Sequence, residues 1–202
     1  MTAPRKPKER PYHHGDLKRA LLETAEQMLQ EDRHWQFTLR EVARRAGVSH
    51  MAPYNHFQDK NALMAELAMV GFDRLRGVML TAARPRKPRA FREDFFDLGR
   101  AYVRFGEAHP NLYRLMFSQD VGRDTHLNAR ALGAFGVLLE LLERGQKEGV
   151  LRRRPLQSQA AACWAEVHGI TMLVIDGLFV PEKVGQNALE EALATLFEGL
   201  AM

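Results

Sequence analysis

Cys163, Trp164 and His168 sit within six residues of one another in "CWAEVHG", and the chain holds seven further histidines. A thiol beside an imidazole is the pairing a nucleophilic enzyme needs. The spacing argues against it here. Five residues on a helix place Cys163 and His168 about 140° apart round the axis, so the imidazole cannot reach the sulfur. Trp164 and His168, four apart, share one helix face. No HExxH or CxxC pattern is present, and a lone cysteine cannot build a disulfide framework or a cysteine-rich zinc site. The sequence therefore points away from an enzyme, and no cofactor or metal is expected.

A second stretch carries a different chemistry. "EVARRAGVSHMAPYNHF", residues 41–57, puts few large apolar groups and many hydrogen-bonding ones, Ser49, His50, Tyr54 and His56 among them, on a very short segment. Small and polar residues let a backbone approach a polar partner closely. The composition fits a nucleic-acid partner without requiring one: net charge is +4 and 46% of the 202 residues are apolar, enough for a real core. No apolar run reaches the roughly 20 residues that span a bilayer. The start, "MTAPRKPKERPYHHGD", is basic without an apolar stretch behind it, so no secretory signal is expected, and the single thiol suits a reducing cytoplasm.

The elements that would position these residues read as helices throughout, about nine of them, with no period-2 alternation and no internal repeat. Residues 1–14, with Pro4, Pro7 and Pro11 among Arg5, Lys6, Lys8 and Arg10, read as an extended arm, either a solubilising tail or a basic arm reaching a minor groove. From Asp16, the residues Leu17, Leu21, Ala25 and Met28, with Ala20, Thr24 and Leu29 beside them, fall on one face. Thr38 followed by Glu41 is a capping-box pattern opening a second helix that Gly47 should stop. Ser49 is expected to cap a third helix to about His56, and Asp59 a fourth over 59–83, ~35 Å long and able to connect two domains. Further helices are expected near 88–107, 110–118, 125–148, 155–178 and 185–200, after a charged "ARPRKPRA" loop.

Three short helices, the second and third joined by "AGVS", make a helix-turn-helix. The run "FTLREVARRAGVSHMAPYNHFQDKNALM" goes further and resembles the DNA-binding domain of the TetR family of transcriptional regulators, through Thr38, Arg40, Val42-Ala43, Ala46-Gly47-Val48-Ser49, Tyr54, His56-Phe57, Lys60 and Leu63. "HPNLYRLMF" (109–117) resembles the family's C-terminal domain, and "CWAEVHG" resembles a subfamily marked by Trp-x-x-x-His-Gly. The resemblance implies an all-α fold with a basic arm (1–14), a helix-turn-helix domain (15–62) and a ligand-binding and dimerisation domain (63–202).

It also implies roles. Thr38, Tyr54, His56 and Lys60 would meet phosphates. Arg40 from the second helix and His50, Met51 and Ala52 from the third, behind Ser49, would face base edges. Phosphate contacts fix register and base contacts specify sequence, and Arg can take guanine bidentately. His56 also reads as a structural histidine, Phe57 as core, and Arg44 and Arg45 as a solvated face. Met51 and Pro53 depart from the family pattern, where a small residue and a leucine are common. In the C-terminal part, a cavity lined from among Tyr102, Phe105, Asn111, Met116, Phe117, Trp164, His168 and Met172 would hold a small-molecule effector, partly apolar; without the resemblance the same residues read equally as a fully packed core with a hydrogen-bonded histidine. Ala160, Ala161, Trp164, Val167, Thr171, Val174 and Leu178, with Leu189, Leu193, Leu196 and Leu200, suit a homodimer. The expected function is a ligand-responsive regulator, a repressor, binding a pseudo-palindromic DNA operator. The alternative is a helical protein-interaction module that binds no DNA.

Overall fold

The structure, a computed structural model, describes residues 14–31, 35–83, 90–119, 121 and 125–202, with residues 14–16 described by backbone alone. The basic arm up to residue 13 and residues 84–89 of the charged loop lie outside the described residues. Nine α-helices are present among the described residues: α1 (His14–Glu31), α2 (Leu39–Arg45), α3 (Lys60–Ala83), α4 (Phe91–Ala108), α5 (Pro110–Met116), α6 (Thr125–Lys147), α7 (Leu156–Ile175), α8 (Pro181–Val184) and α9 (Ala188–Leu200). A single antiparallel bridge, Leu151 to Ala201, is the one extended pairing among them. The chain divides into two compact units, residues 1–63 and 64–202.

In the first unit, α1 buries Leu17, Leu21, Ala25 and Leu29, a strict i+4 row, while Met28 is only half-buried. That row, Phe37, Leu39, Val42, Ala43 and Phe57 form the core. The Thr38 side chain accepts from the Glu41 amide at 3.3 Å, and the Glu41 carboxylate accepts from the Thr38 amide at 2.6 Å, completing the capping box. At its other end α2 stops in a Schellman motif. Gly47 takes φ +69°, the Val48 amide donates to Ala43 and the Gly47 amide to Arg44.

The segment after Gly47 differs from the α-helix expected over 49–56. It is a turn followed by a 3-10 helix, Ala52–Asn55. The reason lies in Pro53. It has no amide hydrogen to give, and its ring disfavours helical geometry at Ala52. The bonds that remain are mostly i to i+3: Ala52 to Ser49, Tyr54 to Met51, His56 to Pro53. Ser49 is not the cap expected of it: Met51 precedes the 3-10 helix without a side-chain cap bond, and the Ser49 Oγ only accepts from the Met51 amide, at 3.4 Å, within the turn.

In the second unit, α4 packs on α5, α6, α7 and α9, and α7 packs on α6 and α9. Two glycines of α4 make close approaches. A Cβ at Gly99 would lie 2.6 Å from Leu193, and one at Gly106 would lie 2.1 Å from the Thr171 methyl. α7 ends three residues earlier than expected, because Gly177 at φ +68° closes a second Schellman motif with the Leu178 amide on Leu173. Of the apolar residues expected along one side of α7, Ala160, Val167 and Thr171 turn inward, whereas Ala161, Trp164 and Leu178 are exposed, as is Leu173 beside them.

Candidate nucleic-acid interface and ligand cavity

In the first unit, the Schellman turn at Gly47 swings the chain so that Val42, Ala43, Pro53 and Phe57 face inward together. What remains outside is the set the sequence nominates. Arg40, Ser49, His50, Met51 and Tyr54 are exposed, Ala52 and Lys60 half-buried. Met51 keeps 58% and Tyr54 43% of its surface open, large for such side chains on a small unit. An aromatic hydroxyl, an imidazole, a thioether and a guanidinium thus stand on one small hairpin with nothing of their own unit over them.

The phosphate candidates differ among themselves. Thr38 is exposed, but its hydroxyl is already used in the capping box, accepting from the Glu41 amide and donating to the Glu41 carboxylate at 2.9 Å. A phosphate at Thr38 must displace that carboxylate. Lys60 donates to the backbone carbonyl of Trp35 and lies 5.3 Å from the Phe37 ring centre, which leaves its remaining ammonium hydrogens for an anion. His56 is half-buried beside Phe57, with Nε2 enclosed and without a hydrogen-bond partner. Tyr54 is exposed, as Thr38 is, whereas Lys60 and His56 are half-buried. Arg45, by contrast, is held by Glu31 of α1.

Trp35 belongs to none of the expected sets. It takes φ +52°, a left-handed conformation rare for a bulky residue, and the Lys60 ammonium caps its carbonyl. A tryptophan does not signal that backbone, so nothing in the sequence could have found it.

In the second unit a cavity of about 360 Å³ opens between α3, α4, α6, α7 and α9. Phe72, Leu75, Met79, Phe95, Leu98, Phe135, Leu138 and Leu193 line it, with Tyr102, Phe117, Cys163 and Trp164. Three of the eight residues nominated from sequence are therefore on its wall: Tyr102, Phe117 and Trp164. The other five lie outside the lining. Met116 is buried against Gly71, Phe105 stacks on His109 with ring centres 5.1 Å apart, Asn111 is buried, and Met172 is half-buried.

His168 stands one layer behind the wall, in a polar cluster the cavity shares. Its Nδ1 is 2.6 Å from the Tyr113 hydroxyl, which donates to the Tyr102 oxygen at 2.9 Å, while the Trp164 indole donates to the same oxygen at 3.2 Å. Tyr113, fully buried, is absent from the residues nominated by sequence. Its place in "HPNLYRLMF", four residues after the helix-starting His109-Pro110, is the only signal for it.

Burial sets the protonation of this cluster. It pushes Tyr102 up to about 12 and Tyr113 higher still, and it pushes the Cys163 thiol up to about 12, with the Glu166 carboxylate adding to the effect. All three stay neutral at any physiological pH, and Cys163 is no nucleophile. Desolvation holds His168 below its ordinary value of 6.5. The unfolded chain then binds the proton more readily, so stability is lost as pH falls from about 6.5 toward the lower folded-state value. Chemical denaturation between pH 7 and 5 should show a smaller loss for His168→Gln than for the wild type. Glu166, raised by burial, contributes with the opposite sign and cancels in that difference.

Two family models match this chain. The TetR family model of bacterial regulatory proteins covers residues 21–67, and the tetracyclin repressor-like C-terminal domain covers residues 95–196, half of the chain. The chain belongs to the TetR family. A protein of unknown function from Rhodococcus sp. RHA1 is 33% identical, with 96% of this chain and 100% of that one aligned at a TM-score of 0.84. A TetR family transcription regulator from Marinobacter aquaeolei VT8 shares the fold at 20% identity, covering 93% of this chain and 97% of that one at a TM-score of 0.68. So does the TetR family regulator PfmR from Thermus thermophilus, at 20% identity, covering 87% and 94%, at a TM-score of 0.62. No curated protein is significantly similar to it. A TetR family member is a DNA-binding transcriptional regulator, not an enzyme, and this sets aside the interaction module without DNA binding. No helix among the described residues is long and apolar enough to cross a membrane, and none of their His, Cys, Asp and Glu residues group to hold a metal ion.

Proposed function

We propose that this TetR family regulator is a homodimeric repressor that grips a pseudo-palindromic operator and lets go when a small molecule enters the cavity of its second unit. The observation that carries the DNA side is the exposed hairpin face of Arg40, Ser49, His50, Met51 and Tyr54, with the opposite side of the same hairpin committed to the core. Tyr54 and Lys60 would hold phosphates, with His56 beside them and Thr38 once it exchanges Glu41 for an anion. Arg40, His50, Met51 and Ala52 would read bases. The exposed apolar surface of Trp164, Leu173 and Leu178 supports a second copy packing there, which would present two readers to successive major grooves about 34–36 Å apart. The cavity supports a ligand that prefers the non-binding arrangement, the condition for release. The cytoplasm is where such a protein meets its operator.

Footprinting on the DNA upstream of the protein's own coding sequence, with competitor DNA at physiological salt, tests the reading; absence of a protected, sequence-preferring site defeats it. Two variants sharpen it. Tyr54→Phe, losing a hydroxyl-to-phosphate bond, should weaken binding about tenfold and equally across sequences. Arg40→Ala should weaken it by about 10- to 100-fold and relax the preference at one base pair. If both variants act identically on specific and random DNA, the assignment of Arg40 to base reading is wrong.

A further inference from the structure

The cavity has an unusual balance: an apolar volume, no carboxylate, ammonium, guanidinium or imidazole among the described residues of its wall, and one tyrosine whose oxygen is already doubly engaged. We propose that its ligand is an uncharged, largely apolar molecule of about two-ring size, with one hydrogen-bond-accepting oxygen held by the Tyr102 hydroxyl. This rests on the ligand-responsive reading above and narrows it to a chemical class.

Size comes first. A cavity of ~150 Å³ takes up a benzene. The 360 Å³ here has room for somewhat more than twice that, in a wall built from Phe72, Phe95, Phe117, Phe135 and aliphatic side chains. Charge comes second. A carboxylate or ammonium entering this space would leave water and find no counter-charge among the described wall residues, so its affinity should fall well below that of a neutral molecule of the same shape.

The polar contact follows from counting hydrogens. A tyrosine hydroxyl has one hydrogen to donate and two acceptor sites. Both acceptor sites of Tyr102 are filled, by the Trp164 indole at 3.2 Å and the Tyr113 hydroxyl at 2.9 Å. Its own hydrogen is left, with only the long 3.4 Å contact to His168 Nδ1 on the protein side. In the direction in which Tyr113 gives its single hydrogen to Tyr102, the 2.6 Å contact between Tyr113 and His168 is Nδ1–H donating to the Tyr113 oxygen. The chain then runs His168 to Tyr113 to Tyr102 to ligand, every donor matched. Run the other way, Tyr102 to Tyr113 to His168 Nδ1, the chain closes on itself and gives the cavity no donor. A ligand carbonyl selects the first direction, and with it the Nδ1–H form of His168.

Three probes of one shape separate these points: 2-acetylnaphthalene with an acceptor oxygen, 2-ethylnaphthalene without one, and 2-naphthoate with a charge. Calorimetric titration of the full-length protein should find 2-acetylnaphthalene bound about three- to tenfold tighter than 2-ethylnaphthalene, and 2-naphthoate weakest. In Tyr102→Phe the ratio of the first two affinities should fall to about one. On the wild-type protein, imidazole nitrogen chemical shifts should place His168 in its Nδ1–H form when 2-acetylnaphthalene is bound. The proposal is overturned by equal affinities for the two neutral probes, by tightest binding of 2-naphthoate, or by an Nε2–H His168 in the 2-acetylnaphthalene complex. Equal affinities leave the cavity standing as a ligand site and remove only the chemical class. Failure of all three probes to bind takes the ligand-responsive reading down with this proposal.

Discussion

Arg144→Met is expected to cost the second unit about 3 kcal/mol, because it strands a buried carboxylate. Asp94, in the first turn of α4, is 3% exposed, and the Arg144 guanidinium of α6 is the partner of its Oδ2 at 2.5 Å, while Oδ1 has none. Arg144 also lies over the Phe91 ring, 5.4 Å from its centre. The two helices joined this way both line the cavity: Phe95, Leu98 and Tyr102 on α4, Phe135 and Leu138 on α6. Removing only the cation leaves the carboxylate without water and without a counter-charge, the costly half of breaking an ion pair. Methionine retains much of the packing over Phe91, so the loss reports the charge. Thermal unfolding should fall by roughly 6–12 °C. The double variant Asp94→Leu with Arg144→Met, which removes both charges, should recover most of it. A double variant no more stable than Arg144→Met alone would show that the ion pair is not the source.

How far the sequence carries the structure depends on what kind of signal each feature has. Local backbone chemistry is legible. Thr38 and Glu41 name a capping box, Gly47 names a left-handed stop, and both are there because they need only their own neighbours. The α-helix expected over 49–56 is not there, although Pro53 stands in plain view. The proline's consequence is a matter of degree, and a 3-10 turn and an α-turn differ by one hydrogen-bond register. The C-terminal end of α7 falls earlier than its periodicity suggests, because Gly177 follows an apolar run that has no other reason to stop.

The cavity is harder, and for a different reason. Periodicity says that Tyr102, Phe105, Met116 and His168 face inward; it does not say which neighbour each finds there. Met116 fills the notch at Gly71, and His168 reaches Tyr113. Those pairings depend on how close α3, α4, α5 and α7 come, and that closeness is set by glycines whose role is invisible without the partner. The exposed reader face escapes this difficulty, since facing away from the core requires no partner at all.

Gly106→Ala puts the same closeness to a direct test and should destabilise the second unit by about 1–3 kcal/mol. On an open helix the change would stabilise by roughly 0.5–1 kcal/mol, so the sign of the result decides between propensity and packing. A Cβ at this position lies 2.1 Å from Thr171 Cγ2, 3.3 Å from the Tyr113 ring and 3.5 Å from Ile175. Thr171 cannot turn aside cheaply, because its hydroxyl donates to the Val167 carbonyl at 2.6 Å and the side chain is fully buried. α4 and α7 must move apart, and the Tyr113–His168 contact lies directly on that seam. Adding Thr171→Ser removes the offending methyl while keeping the hydroxyl, so the double variant should return to within about 1 kcal/mol of the wild type. Urea unfolding of the four members of the cycle measures this. A Gly106→Ala protein as stable as the wild type would mean that the helices separate freely, and the hydrogen-bonded chain behind the cavity could not be held at the distances that make Tyr102 a donor.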